Sequence, residues 1–194
     1  MGSAVSETPA RLSEDQFLAW AEHRDGRFEL IEGVVVTPAG ATRDHERVAK
    51  RVFVALHARA DEAAFDVNKG DFGVRIRPGR GQGTILYSDV VVDRQSGQGS
   101  ERATPTPVVV VEVLSASTAY DDHGAKFAKY RVRPTLCQYV VFAQTEPKAF
   151  AWLKDEAWDW PQAPTVHEGL DAVVPFPAIG AAVSLSEIYR KPGP

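Results

Sequence analysis

The sequence predicts an α/β (α+β) fold: a mixed β-sheet core flanked by helices, with extra antiparallel strands. Three observations carry this. Val108 to Leu114 holds five valines in seven residues, the pattern of a strand buried on both faces. Thr42 to Glu62 places Val48, Val52, Ala55, Leu56 and Arg59 near helical spacing. The order of elements, helix, hairpin, helix, strands, helix, strands, lacks the regular alternation of a doubly wound parallel sheet.

Each element has a local reason. Ser13-Glu14-Asp15-Gln16 has capping-box spacing and opens a helix through about His23. Asp25-Gly26 ends it. Phe28 to Ile31 and Val34 to Thr37 flank Glu32-Gly33, a hairpin signal. The long helix over 42–62 follows. Phe72 to Arg77 reads as a strand, Pro78 to Gly83 as a glycine-rich loop, and Ile85 to Val92 as one further strand. Arg94 to Pro107 is polar and rich in Gly and Pro, hence a loop. After the valine strand, Ser115 to Ala119 is a turn and Tyr120 to Arg131 a helix that Pro134 cannot continue. Tyr139 to Phe142, Ala149 to Leu153 and Ala157 to Trp160 are expected strands. The tail from Thr165 carries several prolines and a short last helix over Ser184 to Tyr189.

Bulk properties narrow the class. A chain of 194 residues is expected to form one domain over 12–190, behind a disordered, tag-like N-terminus over 1–11. The single Cys137 excludes an internal disulfide framework, fits a reducing cytoplasm and is expected to be a buried thiol. No apolar run is long enough to span a membrane, so no membrane partner is expected. The net charge of −4 argues against nonspecific coating of nucleic acid. The scattered His23, His57, His123 and His167 form no zinc spacing. Gly79 to Gly83 lacks the following Gly-Lys-Ser/Thr of a phosphate cradle, and no organic cofactor is implied. The tryptophans 152, 158 and 160 read as packing rather than a base-stacking platform.

One acid stands out. Glu112 lies inside the valine strand, where an ionised carboxylate is costly unless a cation or donor meets it. Asp89 abuts a second valine run, Val90 to Val92. Two acids on adjacent buried strands, with the backbone carbonyl of Val113 between them, supply hard oxygen ligands for Mg²⁺ or Mn²⁺. Such a metal polarises a phosphate and activates water. Asp122, Lys126 and Tyr130 share one face of the next helix, which would bring an ammonium to the acids. Lys129 competes with Lys126 for that role. Arginines 75, 77, 80, 94 and 102 could form a positive rim for phosphates.

These residues carry a resemblance. Ser88-Asp89, Glu112-Val113-Leu114-Ser115, Ser117-Thr118, Lys126 and Tyr130 resemble the motifs of the Uma-type restriction endonuclease family, within the PD-(D/E)XK nuclease superfamily. Arg27 to Gly33 is similar to that family's RYELIDG segment, Pro38 and His45 to its P…H element, and Gln138 to Val141 to its EYWLV strand. The resemblance implies a restriction endonuclease-like domain acting on DNA with Mg²⁺ or Mn²⁺, as a homodimer. Asp89 would be the metal-binding aspartate and Glu112 the acid of the (D/E)XK strand. Leu114 stands where that motif carries lysine, so Lys126 would take the role from the helix. Glu29, His45 and Tyr130 would be auxiliary. Ser88, Ala116, Gln138 and Ala143 depart from the family's usual Pro, Pro, Glu and Asp.

Two readings compete with a metal-dependent DNA endonuclease. The fold could be kept for binding nucleic acid or protein without cutting. The acids could be structural, in a homodimer formed through the tryptophan-bearing strands.

Overall fold

The computed structural model describes residues 11–38, 40–76, 83–94, 99–114 and 120–190, with only the backbone of 120–123. Along them run α1 (Glu14–Ala21), β1 (Glu29–Ile31), β2 (Val34–Val36), α2 (Arg43–His57), β3 (Phe65–Lys69), β4 (Gly73–Ile76) and β5 (Thr84–Leu86). Then come β6 (Val90–Arg94), β7 (Ala103–Thr104), β8 (Pro107–Leu114), α3 (Tyr120–Tyr130), β9 (Gln138–Ala143) and β10 (Lys148–Leu153). The chain closes with β11 (Thr165–Glu168), β12 (Val173–Phe176), a 3-10 turn (Pro177–Ile179), β13 (Ala181–Ser184) and α4 (Leu185–Tyr189). The expected tail over 1–11 lies outside the described residues apart from Arg11, whose guanidinium donates to the Glu32 carbonyl.

The helices start where the sequence caps them. Ser13 and Gln16 form the expected reciprocal box at α1. Thr42 caps α2, and Ser184 with Glu187 forms a second box at α4. The β1–β2 hairpin turns on Glu32 and Gly33, both at positive φ (51° and 82°), which a two-residue turn between twisted strands requires.

Three sheets form, in the orders β2-β1-β5-β4-β7, β11-β10-β9-β8-β6-β3 and β12-β13. The six-stranded sheet is mixed: β8 runs parallel to β9 and its other pairs are antiparallel. Its two faces are both covered, which is why β8 is buried along nearly its whole length. Val109, Val111 and Val113 pack with α2, α4 and the β12–β13 hairpin. Val110 on the opposite face packs with Phe127 and Tyr130 of α3 and with Val74, Ile76 and Leu86 of the five-stranded sheet. That sheet turns its other face, with Leu30 and Ile85, to Phe17 of α1.

Four expectations are corrected. The run over 85–92 is two strands in different sheets, not one: β5 pairs with β1 and β4, β6 with β3 and β8. Residues 157–160 are a turn rather than a strand; Trp158 takes φ 67° there, and β10 pairs instead with β11. Within the expected loop over 94–107, Ala103–Thr104 adds to β4 as β7. The long helix ends at His57, and the chain then makes β3, a five-residue half-buried strand whose Phe65 and Val67 pack against the core. Cys137 is buried as expected, its thiol donating to the Val108 carbonyl.

Candidate active site

The split between β5 and β6 creates the site. Tyr87, Ser88 and Asp89 carry the chain from the five-stranded to the six-stranded sheet, and their backbone leaves one ladder before entering the next. Side chains take up the groups so released. The Tyr87 amide donates to Glu29 Oε1 at 3.1 Å, and the buried Ser88 hydroxyl donates to the Val90 carbonyl. Asp89 Oδ2 accepts the Val113 amide at 2.7 Å, tying the switch to the end of β8. Glu29 from one sheet thus meets Asp89 and Glu112 from the other.

The helix completes the cluster. Lys126 Nζ lies 3.2 Å from Glu112 Oε1 and 3.8 Å from Glu29 Oε1. One turn on, the Tyr130 hydroxyl donates to Glu112 Oε1 at 3.3 Å. Phe127 between them stacks on Tyr139 and lies tilted against Trp152, which fixes the helix rotation. His45, in the first turn of α2, brings Nε2 to 3.2 Å from Asp89 Oδ2. Glu29, His45 and Glu112 are buried.

The electrostatics follow from crowding. Burial pushes the Glu112 carboxyl up to about 7; Lys126 opposes this, and Asp89 and Glu29 add to it. Burial would lower Lys126, but the surrounding acids outweigh it and hold the ammonium well above the usual lysine range. The same contest at His45, burial against Asp89, Glu46 and Glu112, ends with the imidazole raised. With every group ionised, three carboxylates face two cations, so negative charge is in excess.

Whether these groups suit a divalent cation is a question of donor chemistry. Among the described residues, no set of three or more His, Cys, Asp or Glu side chains is arranged to enclose a metal ion. Mg²⁺ rarely asks for that: it keeps several waters and is held through one or two carboxylates. Asp89 and Glu112, crowded and negative, fit that smaller demand.

The expected residues therefore divide clearly. Asp89, Glu112, Lys126, Glu29, His45 and Tyr130 come together. Lys129 does not; its ammonium is 4.0 Å from Glu32. The side chain of Asp122, arginines 77 and 80, the Gly79–Gln82 stretch, and Ser115 to Ala119 lie outside the described residues. Of the arginines expected to form a positive rim and described here, Arg75 is engaged by Glu14 and Asp15, Arg94 lies over Phe65, and Arg102 pairs with Glu22. Trp152 and Trp160 join the core around Phe127 as expected, whereas Trp158 is exposed. The sequence marked Ser88 only as a motif residue and gave no sign of Tyr87, whose contributions are made by a short hydroxyl and by backbone.

This architecture is that of the restriction endonuclease-like nuclease fold. A crystal structure described as a "putative nuclease belonging to DUF820" from Anabaena variabilis superposes with a TM-score of 0.70 at 14% identity, covering 92% of this chain and 97% of that one. Residues 14–186 match the family Uma2, described as "Putative restriction endonuclease", and the chain belongs to that family. Two uncharacterized proteins of Synechocystis sp. are also similar. The protein slr1290 is 25% identical over 150 residues, covering 77% of this chain and 78% of its own length. The protein sll1609 is 27% identical over 143 residues, covering 72% and 79%. No helix among the described residues is long and apolar enough to cross a membrane.

Proposed function

We propose that this protein is an endonuclease that hydrolyses DNA phosphodiester bonds with Mg²⁺ or Mn²⁺, using Asp89, Glu112 and Lys126. The observation that carries the reading is the convergence of three acids and one lysine from two sheets and a helix, in a chain of a nuclease family. Asp89, Glu112 and the Val113 carbonyl would hold the cation, which when bound polarises the phosphate and activates water. Lys126 stands where its ammonium orients the attacking water and offsets charge gathering on the phosphoryl oxygens. Water adds to phosphorus and one P–O ester bond breaks, leaving a phosphate end and a hydroxyl end. His45 and the Val113 amide hold Asp89 in place; Tyr130 does the same for Glu112. A homodimer would present two such sites to one DNA molecule.

A second reading is favoured by one observation: each acid already has a protein partner. The protein would then keep the fold to bind nucleic acid or protein without cutting. Calorimetric titration of Mg²⁺ and Mn²⁺ into wild type and Glu112→Gln, with plasmid nicking on the same samples, separates the two. Metal binding and nicking that both disappear in the variant support the nuclease. Wild type that neither binds metal nor nicks supports the binding module.

A further inference from the structure

On the α1 side of the five-stranded sheet, a cavity of about 320 Å³ opens between the end of α1 and the start of β1. That volume is at the small end of the ~300–1,000 Å³ typical of small-molecule sites. Its walls include two aromatic rings, Phe28 and Tyr87, two guanidinium groups, Arg27 and Arg102, and one carboxylate, Asp71. The Tyr87 phenol is raised mainly by burial, with Arg102 and Arg27 opposing and Glu29 and Asp71 adding to the shift. Arg102 is held by Glu22 at 2.5 Å, and Arg27 donates to the Gly70 carbonyl at 3.2 Å. A guanidinium has five donors, and the contact at Arg27 occupies one.

This set of groups is suited to a planar ring with hydrogen-bonding edges. Aromatic walls stack on a flat face, guanidinium donors meet ring nitrogens and carbonyls, and a carboxylate meets an exocyclic amine. Backbone hydrogen bonds link the cavity to the acid cluster. Phe28 precedes Glu29, whose carboxylate holds the Tyr87 amide. Gly70, which accepts from Arg27, donates its own amide to the Asp89 carbonyl at 3.2 Å.

We propose that this cavity takes one unstacked nucleobase of the polynucleotide whose phosphate lies at the acid cluster. The substrate is then a single-stranded or distorted segment rather than an intact duplex. This deepens the nuclease reading above and rests on it. Phosphate contacts alone bind without regard to base stacking; an aromatic cavity adds a preference for bases already free of the helix.

The test is done in EDTA, where no cleavage occurs. A short single-stranded DNA carrying 2-aminopurine is titrated with wild type, Tyr87→Ala, Asp71→Ala and Arg27→Ala. Asp71 and Arg27 are exposed, so their variants fold even if Tyr87→Ala does not. The expected result is quenching by wild type, and weaker binding of the duplex form. Tyr87→Ala should bind about five- to hundredfold more weakly and lose the quench, by the usual worth of one stacked base. Binding by the three cavity variants equal to wild type, or wild-type binding without quench, overturns the proposal. Plasmid nicking in Mg²⁺ judges the nuclease reading separately. Nicking by wild type with unaltered cavity variants removes only the cavity's role; quenching without nicking keeps the base site and removes the catalytic reading.

Discussion

Replacing Lys126 by methionine isolates the electrostatics of the cluster. The substitution keeps the aliphatic stem and removes the ammonium that lies 3.2 Å from Glu112 and 3.8 Å from Glu29. Stranding a buried charge in this way costs about 3–5 kcal/mol. Glu112 has an escape, since it can take up a proton. From its ordinary value of 4.5, that costs ~1.36 kcal/mol per pH unit. The penalty at Glu112 is therefore capped near 5 kcal/mol at pH 8 and below about 1 kcal/mol at pH 5. The sign follows from linkage. A carboxyl whose folded value lies above its unfolded one binds more protons folded than unfolded, so stability falls as pH rises through that interval. Wild type already carries most of that penalty at pH 8, because its own Glu112 sits at about 7, so Lys126→Met should be close to wild type at pH 5 and lose about 1 kcal/mol more at Glu112 by pH 8. The double variant Lys126→Met/Glu112→Gln should recover most of the loss, because no charge is left for Lys126 to balance at that position. Urea unfolding followed by tryptophan fluorescence, in EDTA at both pH values, measures this. A loss of equal size at pH 5 and pH 8, or no recovery in the double variant, would refute the reasoning.

Three further outcomes are expected. Asp93 is pushed up to about 6, chiefly by burial and partly opposed by Thr104 and Asn68, so wild type loses stability as pH rises from about 4 to 6. Asp93→Asn should remove that loss, gaining up to about 3 kcal/mol over wild type at pH 7 and little at pH 4, by thermal or urea unfolding. Tyr130→Phe removes one hydrogen bond to Glu112 and should cost about 1 kcal/mol while lowering nicking through a less firmly placed carboxylate. Gly83→Ala would put a Cβ 2.4 Å from Glu14 Cγ and 3.0 Å from its backbone nitrogen, so α1 must shift. A destabilisation of about 1–3 kcal/mol, with hydrogen exchange rising first in α1, is the expected reading.

Much of the fold was legible because its signals are local. Ser13, Thr42 and Ser184 announce their helices through short-range caps. The valines of β8 reveal a strand buried on both faces, and Glu112 is conspicuous against them. β3 was hidden because it is a short, half-buried strand at the edge of its sheet: Phe65 and Val67 face the core, and an alternation of five residues is too brief to stand out. Residues 157–160 misled because aromatic residues read as strand formers, whereas Trp160 is held by its ring against Phe127.

The sequence by itself marked the members of the cluster: a costly acid in an apolar strand, a second beside the next valine run, and a lysine on the following helix. Those are properties of residue type and spacing, and they need no partner to be read. Only tertiary structure decided that the apolar run over 85–92 breaks between two sheets, because leaving one ladder for another depends on strands far away in the chain. That break places Asp89 on the Val113 amide and Glu29 on the Tyr87 amide, and so makes one cluster from two sheets. Tertiary structure also decided which cations are available. Arg75 and Lys129 are drawn off by Glu14, Asp15 and Glu32, and Lys126 alone of these three reaches the acids. Charge pairing over such distances is set by packing, which spacing along the chain does not encode.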